Sequence, residues 1–99
     1  LIHVKVKIMH IHFPHDSPQY CGPELVLTFP AIVDGERVTC SITAEALEDH
    51  FGAASSREED TLRAFKHHRD KIEHAARKLL RELGRTPIRL HSGYFRFCE

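Results

Sequence analysis

The sequence predicts an α+β domain: a small antiparallel sheet packed by a short and a long helix, in the order β-β-β-α-α-β. Two observations carry this. Alternating apolar residues flank an Asp34-Gly35 turn signal in the first half, and the second half holds an apolar stripe spaced by threes and fours between residues 62 and 83. At 99 residues, with 41% hydrophobic and 28% charged side chains, the chain fits one globular domain.

Val4, Val6 and Ile8 alternate with Lys5 and Lys7 and read as a strand. The apolar phase then shifts to Met9, Ile11 and Phe13, which calls for a bulge near His10 or a junction of two segments. Met9 is the only methionine. The expectation is that the natural start lies near it, with residues 1–8 outside the domain. Pro14, Pro18, Gly22 and Pro23 make the next stretch a loop. Leu25, Leu27 and Phe29 open a strand whose Pro30 marks an edge or a bulge. Asp34-Gly35 then turns the chain into a return strand over residues 37–42, with Val38, Cys40 and Ile42 on one face.

Thr43 caps a short helix that ends at Gly52, with Glu45 favourable at its positive end. A second helix is expected from Glu59 to Leu83, stopped by Gly84, with Leu62, Phe65, Ile72, Ala76, Leu79 and Leu83 along its apolar stripe. At about 1.5 Å per residue it would approach 40 Å. Such a helix overhangs a domain of about 13 Å radius of gyration. Leu79, Leu83 and Phe95 are then expected to meet a second subunit. Thr86-Pro87 opens a last strand over residues 88–91, and Tyr94, Phe95 and Phe97 form an apolar tail that docks on the body.

Three stretches together resemble a known family. They are Phe29-Pro30-Ala31-Ile32-Val33-Asp34-Gly35 with Val38 and Cys40, then residues 42–52 (Ile42-Thr43-Ala44-Glu45 through His50-Phe51-Gly52), then Ala64-Phe65 with Arg69, Ile72-Glu73 and Ala76. The chain is similar here to the small bacterial family called domain of unknown function 1488. The resemblance runs from about Ile11 to Leu90. It implies a single α+β domain in a bacterial cytoplasm and implies no activity.

Charge is unevenly spread. From Met9 to Asp60 ten acidic side chains face two basic ones, a balance of −8; from Thr61 to Glu99 ten basic face four acidic, a balance of +6. Lys5 and Lys7 bring the whole chain to zero. A nucleic-acid face, a self-complementary oligomer and internal attraction between the halves all fit this pattern. No apolar run is long enough to span a bilayer, and the lysines in the first segment rule it out as an apolar export signal. Three cysteines, Cys21, Cys40 and Cys98, show no CxxC spacing and read as thiols, not as a disulfide framework or zinc ribbon.

Candidate sites are few. His10, His12 and His15 form an H-x-H-x2-H cluster, and on a strand the first two would point to one side about 7 Å apart, as Zn²⁺ or Ni²⁺ ligands do. Pro14 breaks that geometry before His15. Arg63, Lys66, Arg77, Lys78 and Arg81 line the polar face of the long helix and are the nucleic-acid candidates, diluted by Asp70, Glu73 and Glu82. Cys40 reads as core, Cys21 as an exposed thiol without a local pattern, and Asp49-His50 as neighbours that do not face each other. Arg69 interrupts the apolar stripe. It must snorkel, pair with an acidic residue such as Asp34, Glu45, Glu48 or Asp49, or await an anionic ligand or partner. The expectation is a non-catalytic interaction or regulatory module without cofactor, pairing with itself as a homodimer or with another protein. A nucleic-acid-associated regulator is the alternative, and a metal-binding protein or small enzyme comes third.

Overall fold

Asp34 and Gly35 take φ of 50° and 83°, the left-handed pair that joins two right-twisted strands in a two-residue turn. The computed structural model describes residues 8–97. In chain order these form β1 (Ile11–His12), β2 (Gln19–Cys21), β3 (Val26–Val33), β4 (Glu36–Thr43), α1 (Ala44–His50), α2 (Glu58–His67), α3 (Arg69–Leu83), β5 (Ile88–Leu90) and α4 (Ser92–Phe97). The hairpin of β3 and β4 runs in continuous register from Val33↔Glu36 to Val26↔Thr43. Val38, Cys40 and Ile42 face the core with Leu27, Phe29, Ala31 and Val33, as the alternation predicts.

Pro30 is answered by the sheet's outline. β1 pairs with Ile32 and Val33, and β2 pairs with residues 26–28, so Pro30 falls in the gap between them. The two-residue turn fixes the alternation of ladder pairs, and by that count the position's N–H would point away from β4, into this gap. Proline therefore costs no ladder bond. The stretch from Pro14 to Pro23, read as loop, carries the three-residue β2; its alternation is too short to register, and β3 supplies the partner that defines it.

α1 begins at its predicted cap, with the Thr43 hydroxyl accepting from the Ala46 N–H at 3.0 Å, and ends before Gly52, φ 73°. The expected long helix is two helices. α2 stops at His68, where φ −122° and ψ 21° leave the helical region and its N–H is shared between the Ala64 and Phe65 carbonyls. A straight helix over this span would outrun an eight-residue strand, about 26 Å long. The break lets Phe65 and Ile72 both reach full burial on one sheet face. The overhang argument for a second subunit falls with it. Leu83 is exposed and Leu79 half-buried, but Phe95 is buried within its own chain.

β5 pairs parallel to β4 through Cys40↔Ile88 and Ile42↔Leu90, so the sheet is mixed, not wholly antiparallel. The three helices between them are the crossover that a parallel pair requires. The sheet order is β1-β3-β4-β5, with β2 also against β3. Helices cover one face, centred on Phe29, Phe65, Leu47, Ile72 and Leu80. Its other face carries Thr28, Ile32, Arg37 and Thr39 and stays partly open. The expected apolar tail turns into α4, where Phe95 is buried and Tyr94 half-buried. The strand read over Val4 to Ile8 lies outside the described residues except for Ile8, which is exposed and unpaired. Among the described residues no helix is long and apolar enough to cross a membrane.

Candidate interaction groove

The last helix is held by a polar clasp. Ser92 Oγ donates to Asp49 Oδ2 at 2.5 Å, and His50 Nε2 lies 3.0 Å from the Ser92 carbonyl and 3.2 Å from its hydroxyl. A carbonyl only accepts, so Nε2 carries a proton in this contact. Serine, histidine and aspartate thus meet, but the hydroxyl proton goes to the carboxylate and no basic nitrogen faces the oxygen. Ser92 is buried as well. The trio secures α4 to the end of α1. Asp49 and His50, neighbours that cannot face each other along a helix, both reach the same serine across the fold.

Aromatic contacts finish the anchoring. The Phe95 ring packs edge-on to Phe51 at 5.0 Å and lies 5.6 Å from His50. Phe51 in turn lies 5.5 Å from the His68 ring, at the break between α2 and α3. α4 is thereby set beside α3 without closing on it. Between them runs a half-open groove of about 340 Å³, lined by Phe51, Ala75, Tyr94 and Phe95 on the apolar side and by Asp70, Lys71, His74 and Lys78 along α3. Residues 71, 74, 75 and 78 repeat at helical spacing and so share one face. The three potential cations are exposed along the rim, while Ala75 and Phe95 are buried below. An apolar floor under a wall of two lysines, a histidine and one aspartate suits an apolar or aromatic group that bears negative charge beside the lysines.

The sequence candidates are dispersed. Arg69 is half-buried: Nε donates to Glu73 Oε2 at 2.7 Å, an NH₂ group donates to the Pro14 carbonyl at 3.0 Å, and Cζ lies 5.3 Å from the Phe65 ring centre. Its carboxylate partner is on its own helix, one turn on, and none of Asp34, Glu45, Glu48 or Asp49. Asp34 accepts from the His10 N–H, and Asp49 holds Ser92. These three contacts tie the Arg69 guanidinium to its own fold, with the side chain 20% exposed.

Among the five nucleic-acid candidates, Arg63 lies 3.5 Å from Asp60, and the Arg77 guanidinium lies over the Phe13 ring at 5.3 Å. The break at His68 separates Arg63 and Lys66 on α2 from Lys78 and Arg81 on α3, so they do not form one continuous stripe. Arg63, Lys66 and His67 line an open depression of about 640 Å³ with Leu62. His10, His12 and His15 do not converge; among the described residues no group of three or more His, Cys, Asp or Glu side chains could hold a metal ion. Cys40 is fully buried and its thiol is pushed up to about 12 by burial, while Cys21 is half-buried.

Sequence reasoning missed the groove because it placed Lys78 among the nucleic-acid candidates of one long helix and Phe95 in an apolar tail, with nothing to bring the two together.

A family model described as protein of unknown function (DUF1488) matches residues 11–90. The chain is 33% identical over 72 residues to uncharacterized protein YrdB of Escherichia coli (strain K12), covering 73% of this chain and 81% of that protein. The YrdB of Shigella flexneri matches with the same identity and coverage. No solved structure matches the chain.

Proposed function

This chain belongs to the DUF1488 family, and we propose that it is a non-catalytic interaction module of the bacterial cytoplasm whose working surface is the groove between α3 and α4. The observation that carries the reading is the groove's composition. Aromatic and alanine side chains form its floor, Lys71, His74 and Lys78 with Asp70 form its rim, and the nearby Ser92 hydroxyl is engaged by Asp49 instead of facing a base. Such a lining offers apolar contact and charge, which is what recognition needs. A cytoplasmic setting suits the free thiols of Cys21 and Cys40. The reading is preferred to a nucleic-acid one because the basic residues divide between two helices and the Arg77 guanidinium lies over the Phe13 ring.

An anionic aromatic probe tests it. 1-Anilinonaphthalene-8-sulfonate, titrated into dilute protein, is expected to bind once per chain with enhanced fluorescence. Ala75→Arg fills the floor and should abolish that binding; Lys71→Glu with Lys78→Glu should weaken it. Dye binding that both variants leave unchanged, or no binding at all, contradicts the reading.

A further inference from the structure

We propose that the occupant of this groove is a second copy of the chain, in a two-fold pair that sets the basic rim on α3 of one protomer against the acidic α1 of the other. The proposal rests on reading the groove as an interaction surface and names the partner. Its first support is the charge left over after internal pairing. Ion pairs link Arg37 to Asp16, Arg63 to Asp60, Arg69 to Glu73, Arg85 to Glu36 and Arg89 to Glu24. Among the described residues none engages Glu45 or Glu48 of α1, and none engages Lys71, Lys78 or Arg81 of α3; all five are exposed. Arg85–Glu36 and Arg89–Glu24 join the two halves of the sequence within one molecule, and these five side chains stand outside that pairing.

Both patches stand on helices joined to the same groove. α1 ends at Phe51 in the groove floor and is clasped to α4 through Asp49 and Ser92, so Glu45 and Glu48 lie on the helix that abuts one wall. Lys71 and Lys78 stand on the other wall. A surface carrying both signs on either side of an apolar depression is complementary to itself under a two-fold axis, where each patch meets its opposite twice. A uniformly acidic or uniformly basic partner would match only one side.

The apolar element is also on the page. Ala75, Leu79 and Leu83 follow four residues apart along α3 and grow more exposed in that order, from 8% at Ala75 to 59% at Leu83. A groove of about 340 Å³ accepts one or two side chains, not a folded element. Leu83, at the free end of α3 with Leu79 behind it, is the apolar side chain that each protomer offers to the other's groove.

Sedimentation of the full chain from low to high micromolar concentration tests this. The mass is expected to rise from 11.4 kDa toward twice that value and to fall back in high salt. Leu83→Asp, a surface change whose folding is checked by circular dichroism, should raise the dimer dissociation constant at least about tenfold. Charge reversal gives the decisive comparison. A chain carrying Lys71→Glu and Lys78→Glu, and another carrying Glu45→Lys and Glu48→Lys, should each be monomeric alone and pair when mixed, because only the mixed pair is complementary at both contacts. A monomer at every concentration overturns the proposal, as does a dimer indifferent to Leu83→Asp, or reversed chains that fail to pair when mixed. A monomer that still binds the anilinonaphthalene dye in an Ala75-dependent way removes the self-partner alone. If the dye binding is absent too, the reading of the groove itself falls.

Discussion

Replacing Arg69 by leucine removes its bonds to Glu73 and to the Pro14 carbonyl and its contact with the Phe65 ring. The charge-assisted bond to Glu73 joins two side chains only 20% and 18% exposed, so removing the guanidinium leaves a carboxylate with little water and no counterion, at about 1–3 kcal/mol. The contact with the Phe65 ring adds about 0.5–1 kcal/mol. Leucine returns about 1 kcal/mol by covering the same core surface. The net expectation for Arg69→Leu is a loss of about 2 kcal/mol, or a melting temperature lower by roughly 10 °C in a domain of this size. Urea unfolding measures it. The double variant Arg69→Leu, Glu73→Met should recover more than half of the loss, since replacing both partners by apolar groups leaves no buried charge. A single variant within about 0.5 kcal/mol of the parent would refute the account of Arg69 as a structural tie, and would mean that water already screens the pair.

Three further outcomes follow from the buried groups. In the native state a thiol reagent should modify Cys21 and spare Cys40, whose labelling should track global unfolding. Cys40's folded pKa is raised from 9.0 to about 12, so its contribution to stability is full below pH 9 and is lost as pH rises from 9 toward 12; replacing it should flatten that alkaline fall in denaturant midpoints. Ser92→Ala should cost about 1 kcal/mol and quicken amide exchange in α4 while leaving the sheet protected, which residue-resolved exchange would reveal.

The parts legible in the sequence were those specified by neighbours along the chain. The Asp34-Gly35 hairpin, the Thr43 cap, the Gly52 and Gly84 stops and the inward face of Val38, Cys40 and Ile42 each need only a turn residue or a period of two. What escaped depends on partners distant in sequence. β2 exists because β3 offers an edge, and the parallel direction of β5 depends on where a crossover lands. The break at His68 carries no proline or glycine; it is imposed by the sheet's length and by Phe51 packing on that ring. Arg69 was recognised as needing an answer, and the carboxylate came from Glu73, four residues along the same helix. The groove depends on α4 folding back, which Asp49, His50 and Ser92 arrange over more than forty residues of chain.

The central claim is that the groove between α3 and α4 is the surface with which this protein works. Amide chemical-shift mapping during titration with 1-anilinonaphthalene-8-sulfonate tests it residue by residue. The account predicts saturable shifts clustered at Phe51, Lys71, His74, Ala75, Lys78 and Phe95. Shifts centred instead on Thr28, Arg37 and Thr39 of the open sheet face, or on Leu62, Arg63, Lys66 and His67, would contradict it.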